Sequence, residues 1–517
     1  MYADIVLKNG VVCSLDSENR VYEAAAIRDG VIIAVGDNKA VSNLIGPETK
    51  IVDLNGKFVC PGFIDSHTHL YSLGMSLKQL NLWDTRSKYE AYEMIKEKIR
   101  ELGAGKWIVA KQWDENRWSE REFPSLEELD RLFPDNPVVM IRVDGHLAVV
   151  NSLAIKRARL DLSSQFIEKD SSGKPTGIVK EDALKAVLSA VEVSEDERLE
   201  AIETGVKNAL KEGITSIHEI IYNPETLQAY IRAFRMGKLT LDVNFIPTHE
   251  CFEKLSLEYI NFINRFKPFL SLTTVKIFAD GSIGARTAAL SKPYADSPME
   301  SGLLMHEFGH LMEIIYRFHR MRFQVAVHAI GDRAISDVLT ALTKVYRRDP
   351  WIDHRHRIEH FELPSMWHIE RMASLCVIAS MQPNFIGNWQ MPGGMYEKKL
   401  GKERAIRLNP VRSIMDEGVV VIFGSDCMPM SPLYGLHWAV NHYNRNERVD
   451  VVRALRAYTI NPAFACREEK VKGSLEVGKF ADLVILDKNL LETRSIENVN
   501  VLATVKRGVF VYKSSEV

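Results

Sequence analysis

The first 60 residues alternate short apolar runs with tight turns. Segments 4–8, 11–15, 24–28, 31–35 and 51–54 have strand character, and Asn9-Gly10, Asp29-Gly30 and Asn55-Gly56 break them. The last 45 residues repeat the pattern at 482–486, 501–506 and 509–512, with Arg507-Gly508 as a turn. Neither end is long enough to enclose its own core. Together, residues 1–60 and 467–517 are expected to form one small composite β-sandwich, with the rest of the chain inserted between them.

Residues 61–466 change rhythm. Short, fully apolar runs alternate with amphipathic helical stretches, the pattern of a parallel α/β fold. Strands are predicted at 62–65, 215–218, 241–246, 274–278, 324–328, 357–360, 377–381 and 419–424, the set needed for a TIM-like (β/α)8 barrel. The spacing fits a unit of about 30 residues: 58 from His218 to Lys276, 32 from His328 to His360 and 66 from His360 to Asp426. Two intervals are longer. The 149 residues from His69 to His218 predict a large insertion after strand 1, at about 75–200, and the 52 from Lys276 to His328 predict a long loop after strand 4. Both are candidate substrate walls, because loops at the C-terminal end of barrel strands surround the active site.

Composition narrows the class. With 66 basic and 68 acidic side chains the formal charge is −2, which disfavours a nucleic-acid partner. A hydrophobic content of 46% can fill a large core and excludes disorder as the main state. Six cysteines without a CxxC pair point to a reducing compartment. The N-terminal residues carry no signal-peptide pattern, and no apolar run approaches membrane-spanning length, so a cytoplasmic protein acting on a small molecule is expected. A homodimer is the default assembly.

Polar groups at the ends of the apolar runs carry the chemistry. In Pro61-Gly62-Phe63-Ile64-Asp65-Ser66-His67-Thr68-His69 the strand ends in His-x-His, and residues i and i+2 of a strand share a side. His328, His360 and Asp426 end three further strands. Taken singly, each could be a packed core residue; phased to one barrel repeat, they converge on a metal-binding point. Lys276 lies inside the apolar run Thr274-Val275-Lys276-Ile277-Phe278. Burial lowers an ammonium pKa, and a neutral amine can take up carbon dioxide to become a carbamate able to bridge two cations.

This set resembles the metal-dependent amidohydrolase superfamily, and its details resemble the YtcJ-like branch that includes N-substituted formamide deformylase. The likeness rests on the His-x-His segment, Val275-Lys276-Ile277-Phe278-Ala279-Asp280-Gly281-Ser282, Val327-His328-Ala329-Ile330-Gly331-Asp332-Arg333, Arg357-Ile358-Glu359-His360-Phe361 and Phe423-Gly424-Ser425-Asp426. Near the C-terminus, Gly478-Lys479-Phe480-Ala481-Asp482 is similar to the family's return strand. The resemblance implies a distorted barrel and one or two divalent metal ions, usually zinc. His67, His69 and Asp426 would hold the more buried ion. Carboxylated Lys276 would bridge to a second ion on His328 and His360. Asp426 would also shuttle the proton. The implied activity is hydrolysis of a non-peptide C–N bond, an N-acyl or N-formyl amide. A cyclic amide or ester hydrolase and a non-catalytic binding descendant are the alternatives.

Trp113, Asp114, His146, His218, Asp280 and Arg286 are secondary candidates, for substrate contact. Trp113-Asp114 and the segment Arg142-Val143-Asp144-Gly145-His146 fall in the insertion. His306-Glu307-Phe308-Gly309-His310 matches a zincin pattern, but its helix is expected only from about Leu311. His354-Arg355-His356 lies in a charged stretch and is expected to be solvated.

Overall fold

The computed structural model describes residues 2–143 and 145–515, so Asp144 lies outside the described residues. The chain divides into two compact units, one of residues 1–70 and 205–517 and the other of residues 71–204.

In the first unit eight parallel strands carry the candidate ligands: β1 (Phe63–Thr68), β2 (Ile214–Ile221), β3 (Asp242–Pro247), β4 (Thr274–Phe278), β5 (Gln324–Ala329), β6 (Arg357–His360), β7 (Ile378–Met381) and β8 (Val421–Phe423). They form two arcs. One runs β1-β2-β3 and ends on the short strand Leu270–Ser271; the other runs β4-β5-β6-β7-β8. The arcs meet at both seams. Thr248, just after β3, bridges to Lys276 of β4, and the Asp426 N–H beyond β8 donates to the His67 carbonyl at 2.9 Å. Gly424 permits that second approach, since a Cβ there would lie 2.5 Å from the His67 nitrogen.

Both faces of the strands are covered, so even polar positions are enclosed: all eight residues of β2, Thr215, Ser216, His218 and Glu219 among them, are buried. Amphipathic helices follow them. Pro224–Arg235 starts with Asn223 capping the Thr226 N–H and Pro224 in the first turn, and Asp332–Arg348 buries Ala334, Ile335, Val338, Leu339 and Leu342. The segment after β4 runs to Phe308 before its helix begins, so His306 precedes helix Phe308–Arg320 and the zincin geometry does not form.

The chain ends share a sheet. Its order is Val509–Lys513, Val501–Lys506, Leu483–Leu486, Phe58–Pro61, Val11–Cys13 and Val21–Tyr22. Leu483–Leu486 pairs antiparallel with Phe58–Pro61, which joins the two termini directly. A four-stranded sheet of N-terminal segments (Val31–Gly36, Ala24–Arg28, Ile5–Lys8, Lys50–Asp53) is separate, and Leu7, Ile27, Val59, Leu483, Ile485 and Leu502 lie in one apolar cluster.

The expectation for His354-Arg355-His356 fails: both histidines are fully buried. The reason is a chain of satisfied neutral imidazoles. The His319 Nε2–H donates to the Asp349 carbonyl (2.7 Å), and His356 Nε2 meets His319 Nδ1 (2.8 Å). The Val325 N–H donates to His356 Nδ1 (3.0 Å). His354 takes the His356 N–H on Nδ1 (2.7 Å) and donates from Nε2 to Leu375 (2.9 Å). With each nitrogen paired, burial costs little as long as the rings stay neutral.

The second unit has its own six-stranded sheet, in the order Ile167–Lys169, Pro175–Lys180, Leu147–Val150, Val138–Arg142, Ile108–Trp113 and Leu80–Asn81. Trp113, Trp118, Tyr92 and Phe133 fill its core. Among the described residues, no helix is long and apolar enough to cross a membrane.

Candidate metal centre

All six residues of the candidate ligand set line one cavity of about 310 Å³ in the first unit. His67 and His69 point their Nε2 atoms at one carboxylate oxygen, Asp426 Oδ1, at 3.8 and 2.9 Å. Their ligand atoms and that of Asp426 lie within 4.8 Å of one another, close enough to share a single cation. His360 lies 4.8 Å from His67 and 4.4 Å from His328, ring centre to ring centre.

The backbone aims these groups. His360 and Phe361 (φ 70° and 50°) and Asp426 and Cys427 (φ 52° and 57°) form two consecutive left-handed pairs just where β6 and β8 end. Non-glycine residues in that region cost about 1–3 kcal/mol each and are retained where the surroundings over-determine them. Asp65 ties β1 to β8: it accepts from the Ser425 hydroxyl at 2.5 Å, the Ser425 N–H at 2.8 Å and the His67 N–H at 3.2 Å.

Ring tautomers follow from the hydrogen bonds. The His67 Nδ1–H donates to Glu359 Oε2 at 2.5 Å, leaving Nε2 with a lone pair toward Asp426. The His328 Nε2–H donates to the Gly281 carbonyl at 3.1 Å, which frees Nδ1. His360 keeps a buried Nδ1 with no hydrogen-bond partner. Metal-bound histidines commonly show this division, one nitrogen held by a carboxylate or carbonyl and the other free. Burial and the neighbouring Lys276 hold His67 and His328 below the ordinary imidazole range, His328 near 3, so both are neutral donors at physiological pH. Lys276 is 1% exposed, and burial lowers its amine to about 8 against the pull of Glu359 and Asp426. Burial alone would raise the Asp426 carboxyl, but His69, His67 and Lys276 hold it below the usual range and ionised.

Behind the ligands lies a charged chain that sequence reasoning missed. Glu359 pairs with fully buried Arg357, whose guanidinium also donates to His218 Nδ1 (2.9 Å) and the Ser66 carbonyl (2.7 Å). The Ser380 hydroxyl adds a bond to Glu359 at 2.8 Å. Burial opposes ionisation of Glu359, yet Arg357 and His67 keep it well below the carboxylate range. The available signal was Arg357-x-Glu359, two opposite charges at i and i+2 of a buried strand, facing one way.

The secondary candidates fare differently. His218 is buried on Arg357, with its other nitrogen 3.0 Å from the Cys466 thiol, and is not among the cavity-lining residues. Asp280 accepts N–H groups of Ile330 (3.0 Å), Gly331 (2.8 Å) and Ala289 (2.9 Å), and lies 3.6 Å from His328 Nε2. Arg286 is bound through Nε and Nη2 to Asp296, outside the cavity lining. Its neighbours Ser282, Ile283 and Gly284, in the long segment after β4, do line the cavity. In the second unit Trp113 is buried, stacked on Trp118 with its N–H on the Met140 carbonyl, and Asp114 caps a short helical turn. His146 is exposed and lies 3.1 Å from Glu181. A larger cavity of about 600 Å³ lies within that unit, and four of its lining charges are paired with one another, Lys78 with Glu200 and Lys98 with Glu101.

Comparison with known proteins decides the family. The family model described as "Amidohydrolase family" matches residues 50–512. The chain belongs to the amidohydrolase family. It is 31% identical to YtcJ of Bacillus subtilis, over 98% of this chain and 99% of that one. It is 27% identical to an N-substituted formamide deformylase of Arthrobacter pascens, over 99% and 98%. The crystal structure of an uncharacterized metal-dependent hydrolase from Pyrococcus furiosus superposes with a TM-score of 0.82 at 31% identity, covering 94% of this chain and all of that one. The YtcJ-like reading of the motifs therefore holds, and this amidohydrolase is a hydrolase of C–N bonds other than peptide bonds.

Proposed function

We propose that this amidohydrolase cleaves an N-acyl or N-formyl amide of a small molecule with the help of one or two divalent cations, zinc first among them. His67, His69 and Asp426 would hold one ion, and Lys276, carboxylated, would bridge to a second on His328 and His360. The observation that carries this reading is the convergence of His67 Nε2, His69 Nε2 and Asp426 Oδ1, with a buried, unpartnered His360 nitrogen beside them. When bound, such cations acidify a water toward neutral pH and polarise a carbonyl.

The protein's own groups supply the rest. Glu359 holds the His67 proton on Nδ1. Asp280 lies beneath His328 and steadies the turn after β5. Asp426, ionised, takes a proton from the attacking water and returns it to the leaving nitrogen. Tyr222 stacks on His69 at 5.8 Å and lines the cavity. We read the eight strands as a distorted closed (β/α)8 barrel of residues 61–466 and the terminal sheets as one composite sandwich. Two features favour a linear amide over ring deamination. Gly331 stands at the third position after His328, where ring deaminases would carry a glutamate, and one relative is a formamide deformylase. A panel of N-formyl amines, N-acyl amines, cyclic amides and esters, with zinc-loaded and chelated enzyme, tests the reading. Zinc-dependent release of amine from a linear amide is the expected result, and hydrolysis of cyclic amides or esters alone would overturn it.

A further inference from the structure

The cavity contains one carboxyl that no step above uses. Glu362 lines it, is 2% exposed, and lies beside the Tyr396 phenol. Its Oε2 atom is buried and has no hydrogen-bond partner among the described residues. An unpaired buried carboxyl oxygen is costly, and burial pushes this carboxyl up to about 8; on a residue that lines a cavity it is a position for a ligand's donor, and a cationic N–H placed there would hold it ionised. Three aromatic rings surround this end. Phe385 packs on Trp389 at 4.6 Å and Trp389 on Tyr396 at 5.9 Å, while Phe385 also stacks on His360 at 6.0 Å. Ring faces carry negative potential, and next to a carboxylate they form a box suited to a cation. Outside the proposed ligand set, the cavity-lining residues include no arginine, lysine or second carboxyl. A substrate with a free carboxylate would meet no counter-charge there.

We propose that Glu362, with Trp389 and Tyr396, selects substrates that carry a cationic N–H group, an ammonium or amidinium, on the body of the amide. The inference deepens the hydrolase reading and rests on it: the amide sits at the His67–Asp426 end and the cation at the Glu362 end of the same cavity. Glu362 acts as a specificity residue, not as part of the bond-breaking machinery.

Binding of benzamidine and of its neutral isostere benzamide to the zinc-loaded full chain, measured by calorimetry near neutral pH, tests this without requiring turnover. The expected result is a preference for benzamidine of about tenfold or more, lost in Glu362→Gln while benzamide binding is unchanged. Equal binding of the two by the wild type, or a preference that survives Glu362→Gln, would overturn the proposal. Should Glu362→Gln not fold, the wild-type ratio decides alone. Turnover of N-formyl-4-(aminomethyl)benzylamine against N-formyl-4-ethylbenzylamine separates the two claims. Loss of zinc-dependent turnover for both would contradict the hydrolase reading while leaving the benzamidine preference intact. Turnover of both without preference would contradict only the role of Glu362.

Discussion

Replacing Glu359 by glutamine separates the function of the buried charge chain from its contribution to folding. The substitution keeps an oxygen near the His67 Nδ1–H but removes the charge that balances Arg357, which is fully buried. Breaking a buried ion pair by removing one partner costs about 3–5 kcal/mol, so the variant should unfold at a clearly lower urea concentration. Removing a group that orients a metal-binding histidine typically weakens the metal about 10–100-fold, or about 1.4–2.8 kcal/mol. Zinc affinity, measured by competition with a chromophoric chelator, should fall by that factor. The second change, Arg357→Met in the Glu359→Gln background, removes the stranded cation. It should recover much of the stability and none of the zinc affinity, because His67 still lacks its carboxylate partner. A zinc affinity within about threefold of wild type in Glu359→Gln, or recovery of affinity together with stability in the double variant, would refute the assignment of Glu359 as the group that orients His67.

Three further outcomes follow from particular residues. Asp426→Asn should lower kcat by about 100-fold or more while retaining bound zinc by elemental analysis; wild-type turnover would remove the proton-transfer role. The paired imidazoles of His319, His354 and His356 are neutral in the folded state, and burial lowers His354 to about 4 and His356 well below its ordinary value. A depressed folded-state pKa means that the stabilisation is complete above the unfolded value near ~6.5 and is lost as pH falls toward about 4, about 3 kcal/mol for His354 alone. Urea midpoints should therefore decline from about pH 6.5 downward, less steeply in His354→Gln, and an equal decline in both would contradict this. Gly424→Ala places a Cβ 2.5 Å from the His67 nitrogen and 2.6 Å from its Cβ. The overlap should cost about 1–3 kcal/mol and weaken zinc binding, whereas an unchanged urea midpoint would show that β8 can retreat from β1 freely.

The eight parallel strands were legible in the sequence from short apolar segments recurring at a spacing of about 30 residues, clearest at 325–327 and 421–423, although β1, β2 and β6 also bury polar side chains. The run at 324–328 became Gln324–Ala329, and that at 357–360 became Arg357–His360. The last was overextended: 419–424 shortened to Val421–Phe423, because Gly424 is spent on the close approach to His67 and the chain turns left-handed by Asp426. The six candidate ligands could be read because each is a polar residue in or just after such a run. Their supports could not. Glu359 reaches His67 across 292 residues of chain, and nothing local marks that pairing. Glu362 stands before Leu363-Pro364-Ser365 and reads as the start of a surface turn; its burial depends on Tyr396 and the apolar cluster with Ile283 and Ile330. His354 and His356 were misjudged for the same reason, since their partners His319, Val325 and Leu375 come from other elements.

The central claim is tested most directly by metal stoichiometry, using elemental analysis of untagged protein after incubation with zinc and bicarbonate. About two divalent ions per chain, falling to about one in Lys276→Met, is the result expected for a site in which His67, His69 and Asp426 hold one ion and carboxylated Lys276 bridges to another on His328 and His360. Absence of stoichiometric metal in the folded protein under these conditions would contradict the account.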